Sequence, residues 1–178
     1  SLTNGLKELN QKVGNLPLFL CVDEEGGMVS RMPPELADLP NAYDFLRAGG
    51  DPYARGEVLA AQCAAFGFHV NFAPSLDVWS NPNNSVIGKR AFAADAQTAA
   101  QAGAQAVRGL MDGGVISVGK HFPGHGDTDT DSHVGLPVVK KTPEELWETE
   151  LLPFQAAIRE GGPAIKEAHI LMTALDPQ

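Results

Sequence analysis

The chain has 178 residues, of which 43% are hydrophobic and 20% charged, enough for one domain with its own core. Thirteen Lys and Arg against 22 Asp and Glu give a formal charge of -9, and such an acidic surface repels phosphate backbones and anionic lipids. No apolar run approaches the roughly 20 residues of a membrane-spanning helix. The composition therefore argues against a nucleic-acid-binding or membrane protein. It predicts neither a cytoplasmic nor a secreted location, and no oligomeric state.

Strand-like and helical segments alternate along the chain. Each helical segment has apolar positions on one side, and each strand-like segment is short and apolar. We expect strands near 18–22, 69–73, 115–119 and 169–173, with helices at 54–66, 95–112 and 143–158. Alternation of this kind is typical of a parallel sheet covered by helices.

Local signals mark where the predicted helices begin and end. Gly67 follows the first helix, and Gly113 and Gly114 follow the second, as glycines do at helix C-termini. Thr142 and Glu145 have the spacing of a capping box at the start of the third helix. The three helices are therefore predicted from their termini as well as from their periodicity.

The long connections follow the strands, at 23–50, 77–90 and 121–141. Enlarged loops at the carboxyl ends of parallel strands are typical of a TIM (β/α)8 barrel, where they hold the active site. Four strands do not close such a barrel, which usually needs about 250 residues. We therefore expect an α/β fold, a partial TIM barrel of about four βα units, with 1–178 a fragment of one truncated barrel domain. A flavodoxin-like doubly wound sheet is the structural alternative.

Two cysteines, Cys21 and Cys63, are too few for a disulfide framework or a zinc site. Cys21 lies in a predicted strand and Cys63 in a predicted helix. Both are expected to be buried as small hydrophobic side chains.

The loop after the third strand concentrates histidines and aspartates. One interpretation is a metal site with His121, His125, Asp127 and His133 as ligands, and another is a solvated turn. A catalytic loop is favoured, because Asp131 lies two residues from His133 and can accept a hydrogen bond from one ring nitrogen while the other faces substrate. No metal is therefore predicted here.

This loop is also where the sequence resembles a known family. KHFPGHG followed by Asp-Ser-His resembles the signature loop of family 3 glycoside hydrolases, in the β-N-acetylhexosaminidase branch. The resemblance implies that His133 is the general acid/base and that Asp131 orients it. It also implies that Lys120 and His121 bind sugar.

A second motif follows the first predicted strand. The segment DEEGGMVSR resembles the family's D-Q-E-G-G-R-V-x-R, which implies that Asp23 binds sugar hydroxyls and that Arg31 lies in the sugar pocket. Glu24 and Met28 depart from the family pattern. A strand-ending acidic turn with glycines is the alternative.

A third motif runs from Asn71 through the following loop to Phe92. Here the resemblance implies that Arg90 contacts the substrate, and its guanidinium fork could hold two sugar oxygens at once. An ordinary surface arginine is the alternative. Asp77, at the end of the strand, is equally consistent with a structural or a pocket-lining role.

The resemblance implies a retaining hydrolase of terminal β-linked N-acetylglucosamine that needs no cofactor. Its substrate would be a small N-acetylglucosaminide or a muropeptide-type glycan. The family's nucleophilic Asp has no counterpart here and is expected beyond Gln178, so the chain alone is predicted to be inactive. Residues 161–168 depart from the family's Gly-Ala-Asp pattern. A glycoside phosphorylase and a non-catalytic sugar-binding module are the alternatives.

Overall fold

A computed structural model describes residues 2–14, 16–36, 39–128 and 135–175. The helices are α1 (Leu2–Val13), α2 (Ala42–Arg47), α3 (Pro52–Phe66), α4 (Ala96–Asp112), α5 (Pro143–Glu148) and α6 (Leu151–Arg159). The strands are β1 (Cys21–Val22), β2 (Val70–Asn71), β3 (Ile116–Phe122), β4 (Val138–Val139), β5 (Ala164–Glu167) and β6 (Leu171–Met172). A 3₁₀ turn, Gly88–Arg90, lies between β2 and α4. Across these ranges no helix has the length and hydrophobicity to span a bilayer.

The main sheet has four strands in the order β1-β2-β3-β5, and every neighbouring pair is parallel. Helices lie between the successive strands of this sheet, because parallel neighbours must be joined by crossover connections. The carboxyl ends of the strands therefore meet at one edge of the sheet, where the long loops lie. The predicted parallel α/β architecture is confirmed, and the four strands do not close a barrel within the described ranges.

Small residues explain the close packing of α3 on α4. A Cβ atom at Gly56 would lie 2.4 Å from the carbonyl oxygen of Ala106, and one at Gly109 would lie 2.1 Å from that of Tyr53. Both distances are far below van der Waals contact, so only glycine fits at these crossing points. Beneath the helices one core cluster comprises Val22, Leu59, Ala60, Cys63, Ala73, Leu110 and Val115.

The fourth predicted strand is present, but it belongs to a second sheet. The strand that pairs with β3 is β5, Ala164–Glu167, which was not predicted. Within the predicted range 169–173, Leu171 and Met172 form β6, which pairs in parallel with β4 in a separate two-stranded sheet. Lys166 and Glu167 make β5 more polar than residues 169–175, and a hydrophobic run therefore marks the later strand but not β5.

The third predicted helix is two helices, α5 and α6. Its start is confirmed, because Thr142 and Glu145 form the expected capping box. The break has a local cause at Pro153, which has no N–H to donate to the carbonyl of Thr149 and whose ring would clash with it in a continuous helix. The N–H of Leu152 instead bonds to the Thr149 carbonyl oxygen at 3.2 Å, a tighter turn.

The two cysteines differ in exposure. Cys63 is fully buried in α3, as predicted, but Cys21 is exposed. Successive side chains of a strand point to opposite faces, and in β1 it is Val22 that packs against α3. The prediction that Cys21 is buried was therefore wrong.

Candidate active site

Polar segments converge where the strands of the main sheet end. Asp23 directly follows β1, Asp77 lies in the loop after β2, and Lys120 and His121 lie near the end of β3. Arg90 comes from the 3₁₀ turn of the β2–α4 loop. The structure brings these five predicted or candidate site residues together from segments up to 97 residues apart in sequence.

Lys120 is the buried cation of the site. Its side chain is only 1% exposed, and its Nζ lies 2.6 Å from Asp23 Oδ1 and 2.6 Å from Glu25 Oε1. Asp23 remains 38% exposed, whereas Glu25 is 6% exposed. Burial raises the pKa of each carboxyl, but hydrogen bonds and charge from Lys120, together with Arg90 for Glu25, outweigh it and lower both pKa values.

The guanidinium fork of Arg90 is directed at Glu25. Its Nε donates to Glu25 Oε2 at 3.0 Å and its Nη2 to Oε1 at 2.8 Å. Nη1 donates to the carbonyl oxygen of Val86 at 2.9 Å. The sequence analysis expected this fork to hold two sugar oxygens, but in the structure it holds the two carboxylate oxygens of Glu25. This bidentate pair fixes the orientation of the Arg90 side chain.

His121 is held at both ring nitrogens. Arg90 Nη2 lies 3.2 Å from its Nε2, and because a guanidinium can only donate, Nε2 must be the acceptor. The proton of a neutral ring is then on Nδ1, which lies 2.7 Å from Asp77 Oδ2. Neither nitrogen is left to exchange a proton with substrate, so His121 in this arrangement is not a general acid or base.

Asp77 is a buried structural anchor beneath the site. It is 0% exposed and accepts hydrogen bonds from the Ser75 hydroxyl at 2.8 Å and from the His125 backbone N–H at 2.7 Å, besides that from His121. Burial raises its pKa, but the interaction with His121 and these other hydrogen bonds outweigh burial and hold the pKa well below the usual range. Of its two possible roles, the geometry shows the structural one.

The turn after β1 depends on its glycines. Gly26 and Gly27 have φ values of 75° and 61°, which side chains rarely adopt, and a Cβ on Gly27 would lie 2.4 Å from Asn41 Oδ1. The buried Glu24 closes the loop by accepting from the backbone N–H of Arg31 at 2.6 Å. This turn places Asp23 and Glu25 beside Lys120.

The remaining predicted residues are less closely joined to this cluster. Arg31 is exposed, its Nη1 donates to the carbonyl oxygen of Ser30, and its charge contributes to lowering the pKa of Asp23. His125 is buried with its Nδ1 2.6 Å from the hydroxyl of Thr128. Asp131 and His133 lie outside the described residues. Within the described ranges no group of three or more His, Cys, Asp and Glu is placed to hold a metal ion.

Glu25 is the site residue that the sequence analysis missed. It binds both cations, Lys120 and Arg90, and its backbone carbonyl accepts from Nη2 of the buried Arg55 at 2.6 Å. Burial lowers the pKa of Arg55 to about 10 despite the nearby Glu25 and Glu24. Charge balance could have indicated Glu25 from the sequence. Arg31, Arg90 and Lys120 were assigned to the pocket with Asp23 as the single carboxylate, which predicts a second carboxylate nearby.

These carboxyl groups predict how stability depends on pH. Asp23, Glu25 and Asp77 have lowered pKa values in the folded protein. Their contribution to the free energy of unfolding is therefore present above the ordinary carboxyl pKa of about 4 and is lost as the pH falls below it. Urea unfolding between pH 7 and pH 3 should show this fall. The free energy of unfolding should fall less steeply with pH in Asp77→Asn than in the parent, with Ser75→Ala intermediate. An unchanged pH dependence in Asp77→Asn would contradict the structural role of Asp77.

The chain matches one protein family over nearly its whole length. Residues 2–178 match the model of the glycosyl hydrolase family 3 N-terminal domain. A β-hexosaminidase A of Pseudoalteromonas piscicida is 40% identical over 184 residues, covering 99% of this chain and 31% of that protein. A β-hexosaminidase of Thioalkalivibrio sulfidiphilus is 39% identical over 168 residues, covering 90% and 48%. The chain thus spans about half or less of the length of these relatives.

Solved structures agree with the fold. A family 3 β-N-acetylglucosaminidase from a Paenibacillus species superposes with a TM-score of 0.95 at 40% identity, covering 99% of this chain and 34% of that one. NagZ from Neisseria gonorrhoeae, solved with N-trifluoroacetyl-D-glucosamine, gives a TM-score of 0.85 at 33% identity, covering 98% and 54%. The fold is thus part of a TIM-like barrel, and the chain belongs to glycosyl hydrolase family 3.

Proposed function

We propose that the protein carrying this chain hydrolyses terminal β-linked N-acetylglucosamine with retention of configuration. The observation that carries the proposal is the charged cluster at the carboxyl edge of the sheet, with Asp23 its exposed carboxylate. Relatives named β-hexosaminidase, and a similar structure that holds a glucosamine derivative, support it. The substrate would be an N-acetylglucosaminide or a muropeptide-type glycan.

In this proposal His133 is the general acid/base and Asp131 orients it. The state of His121 supports the assignment, since Asp77 and Arg90 occupy both of its ring nitrogens. Proton transfer to the leaving oxygen therefore needs another group. An imidazole with a carboxylate two residues away suits that task, because the carboxylate stabilises the imidazolium form and fixes the ring.

The sugar-binding residues divide into two kinds. Asp23 and Arg31 are exposed enough to contact hydroxyl groups directly. Lys120, Arg90 and His121 bind chiefly to protein groups, so we assign them mainly to holding Asp23 and the pocket wall in place. Preorganised charges of this kind act in the transition state without reorganisation at the moment of reaction.

A retaining reaction also needs a carboxylate nucleophile that forms a glycosyl-enzyme. The family resemblance puts this Asp beyond Gln178, and we keep that assignment as part of the proposal. The chain would then supply the acid/base and much of the sugar pocket. It would not supply the attacking group.

The first test is hydrolysis of an aryl β-N-acetylglucosaminide. We expect the intact protein to release the aryl group and the 178-residue chain to give no turnover above background, with both purified from a host lacking hexosaminidase. Robust turnover by the 178-residue chain would show that the nucleophile lies within it.

Product analysis separates the alternative activities. Free N-acetylglucosamine with the β configuration at first release, at rates independent of phosphate, is the expected result. A sugar phosphate formed only when phosphate is present would identify a phosphorylase. Saturable sugar binding by an intact protein without turnover would identify a binding module, and either result would refute hydrolysis.

A further inference from the structure

A second buried ion pair contacts the loop after β3 (121–141), and it shares no residue with the cluster around Lys120. Glu150, between α5 and α6, is 0% exposed, and its Oε1 lies 2.5 Å from Lys141 Nζ. Its other oxygen accepts a hydrogen bond from the Thr149 hydroxyl. A carboxylate at this depth is stable as an anion only if a cation and donors compensate for its lost hydration, and here Lys141 supplies the charge.

Lys141 also reaches the first half of the loop. Its Nζ lies 3.6 Å from Asp127 Oδ2. Asp127 is fixed further by Ser80, whose hydroxyl donates to Oδ1 at 2.9 Å, and by Asn81, whose Nδ2 donates to the Asp127 backbone carbonyl at 3.4 Å. One ammonium group therefore joins the segment before residues 129–134 to the segment after them.

The backbone of the loop packs directly on the aliphatic part of the Glu150 side chain. At Gly124, where φ is 137°, a Cβ atom would lie 2.4 Å from Cγ of Glu150. Gly126 is closer still to the β2–α4 loop, since a Cβ atom there would lie 1.8 Å from the carbonyl oxygen of Val78. The loop thus rests on Glu150 on one side and on the β2–α4 loop on the other.

We propose that Asp127, Lys141 and Glu150, the loop-base cluster, position the loop segment that carries Asp131 and His133. The cluster joins residues on both sides of that segment to the α5–α6 junction, so its geometry sets the positions between which the segment is held. These are positioning residues, since none of them need touch the substrate. The inference rests on the proposed function of His133.

The test uses the intact protein and two N-acetylglucosaminides, one with a poor alkyl leaving group and one with an activated dinitrophenyl group. The double variant Lys141→Met with Glu150→Gln removes both charges together and so leaves no uncompensated buried ion. We expect kcat/KM for the substrate with the poor leaving group to fall about 10- to 100-fold, the cost of misplacing a catalytic group by about 1 Å. The kcat/KM for the activated substrate should fall about 2-fold, because departure of its leaving group needs little protonation.

Lys140→Met is the matched control, because Lys140 is the exposed neighbour of Lys141 and should leave both rates unchanged. Lys141→Arg retains the cation and should recover most of the rate with the poor leaving group. Equal losses for both leaving groups would indicate a purely structural role, and unchanged rates would indicate none. Either outcome overturns the proposal.

A second measurement does not depend on catalysis. In the double variant the backbone amides of residues 124–128 should exchange hydrogen faster, while those of Val70 and Asn71 in β2 keep the parent rate. Unchanged exchange at 124–128 overturns the proposal even in a protein with no activity. If His133→Ala shows no leaving-group dependence in the parent, the acid assignment fails instead, and the exchange result still decides the positioning role.

Discussion

Replacing His133 with alanine in the intact protein should lower hydrolysis of a substrate with a poor leaving group by about 10²- to 10⁴-fold, the usual contribution of general acid–base catalysis. The loss should shrink as the leaving group becomes more acidic, because such a group departs with little protonation. The measurement is the ratio of variant to parent kcat/KM across a series of aryl and alkyl N-acetylglucosaminides.

Asp131→Ala should lose less activity than His133→Ala. The imidazole remains in Asp131→Ala, but it is neither oriented nor stabilised as a cation. Azide should partly restore turnover of an activated substrate by His133→Ala, because it attacks a glycosyl-enzyme without needing a base. Equal losses across all leaving groups would mean that His133 is not the acid and that the Asp131–His133 pair has a binding or structural role.

Replacing Lys120 with methionine should destabilise the fold by about 3 kcal/mol, at the lower end of the range for breaking a buried ion pair. The side chain is 1% exposed, and its removal leaves Glu25, itself 6% exposed, with Arg90 as its remaining cation in the cluster. Asp23 is partly hydrated and loses less, which is why the lower end applies. Urea unfolding at pH 7 gives the free-energy difference directly.

Lys89→Met is the matched control for Lys120→Met. Lys89 also pairs with an aspartate, with its Nζ 3.0 Å from Asp44 Oδ1, but the two side chains are 51% and 41% exposed. An exposed pair contributes little, so the expected loss is below about 1 kcal/mol. Similar losses for the two variants would contradict the view that Lys120 is the buried electrostatic centre of the site.

Much of the fold could be predicted from the sequence because its signals are local. Gly67 ends α3 with a left-handed φ of 80°, and the Thr142–Glu145 capping box starts α5 as expected. Helix α1 was not predicted, although Leu2, Leu6, Leu9 and Val13 repeat at helical spacing. All four side chains are exposed in the structure, so α1 does not bury the apolar face that such a pattern usually marks.

The predicted contact residues were mostly brought together, but their partners were not predicted. Asp23, Arg90, Lys120 and His121 lie in one cluster, as the family motifs implied. That the Arg90 fork holds Glu25, and that His121 is bound at both nitrogens, depends on distances between segments 31 to 65 residues apart. Such pairings are set by how the loops pack and leave no local pattern in the sequence.

By itself the sequence determined the alternation of helices and strands, the parallel sheet, the caps and the loops that contain the site residues, because each depends on residues close together in the chain. Tertiary structure alone decided which strand pairs with β3 and which cations neutralise Glu25. The physical reason is that strand pairing and buried charge are stabilised by partners far away in sequence. A buried carboxylate is identified by its environment, and that environment exists only once the chain has folded.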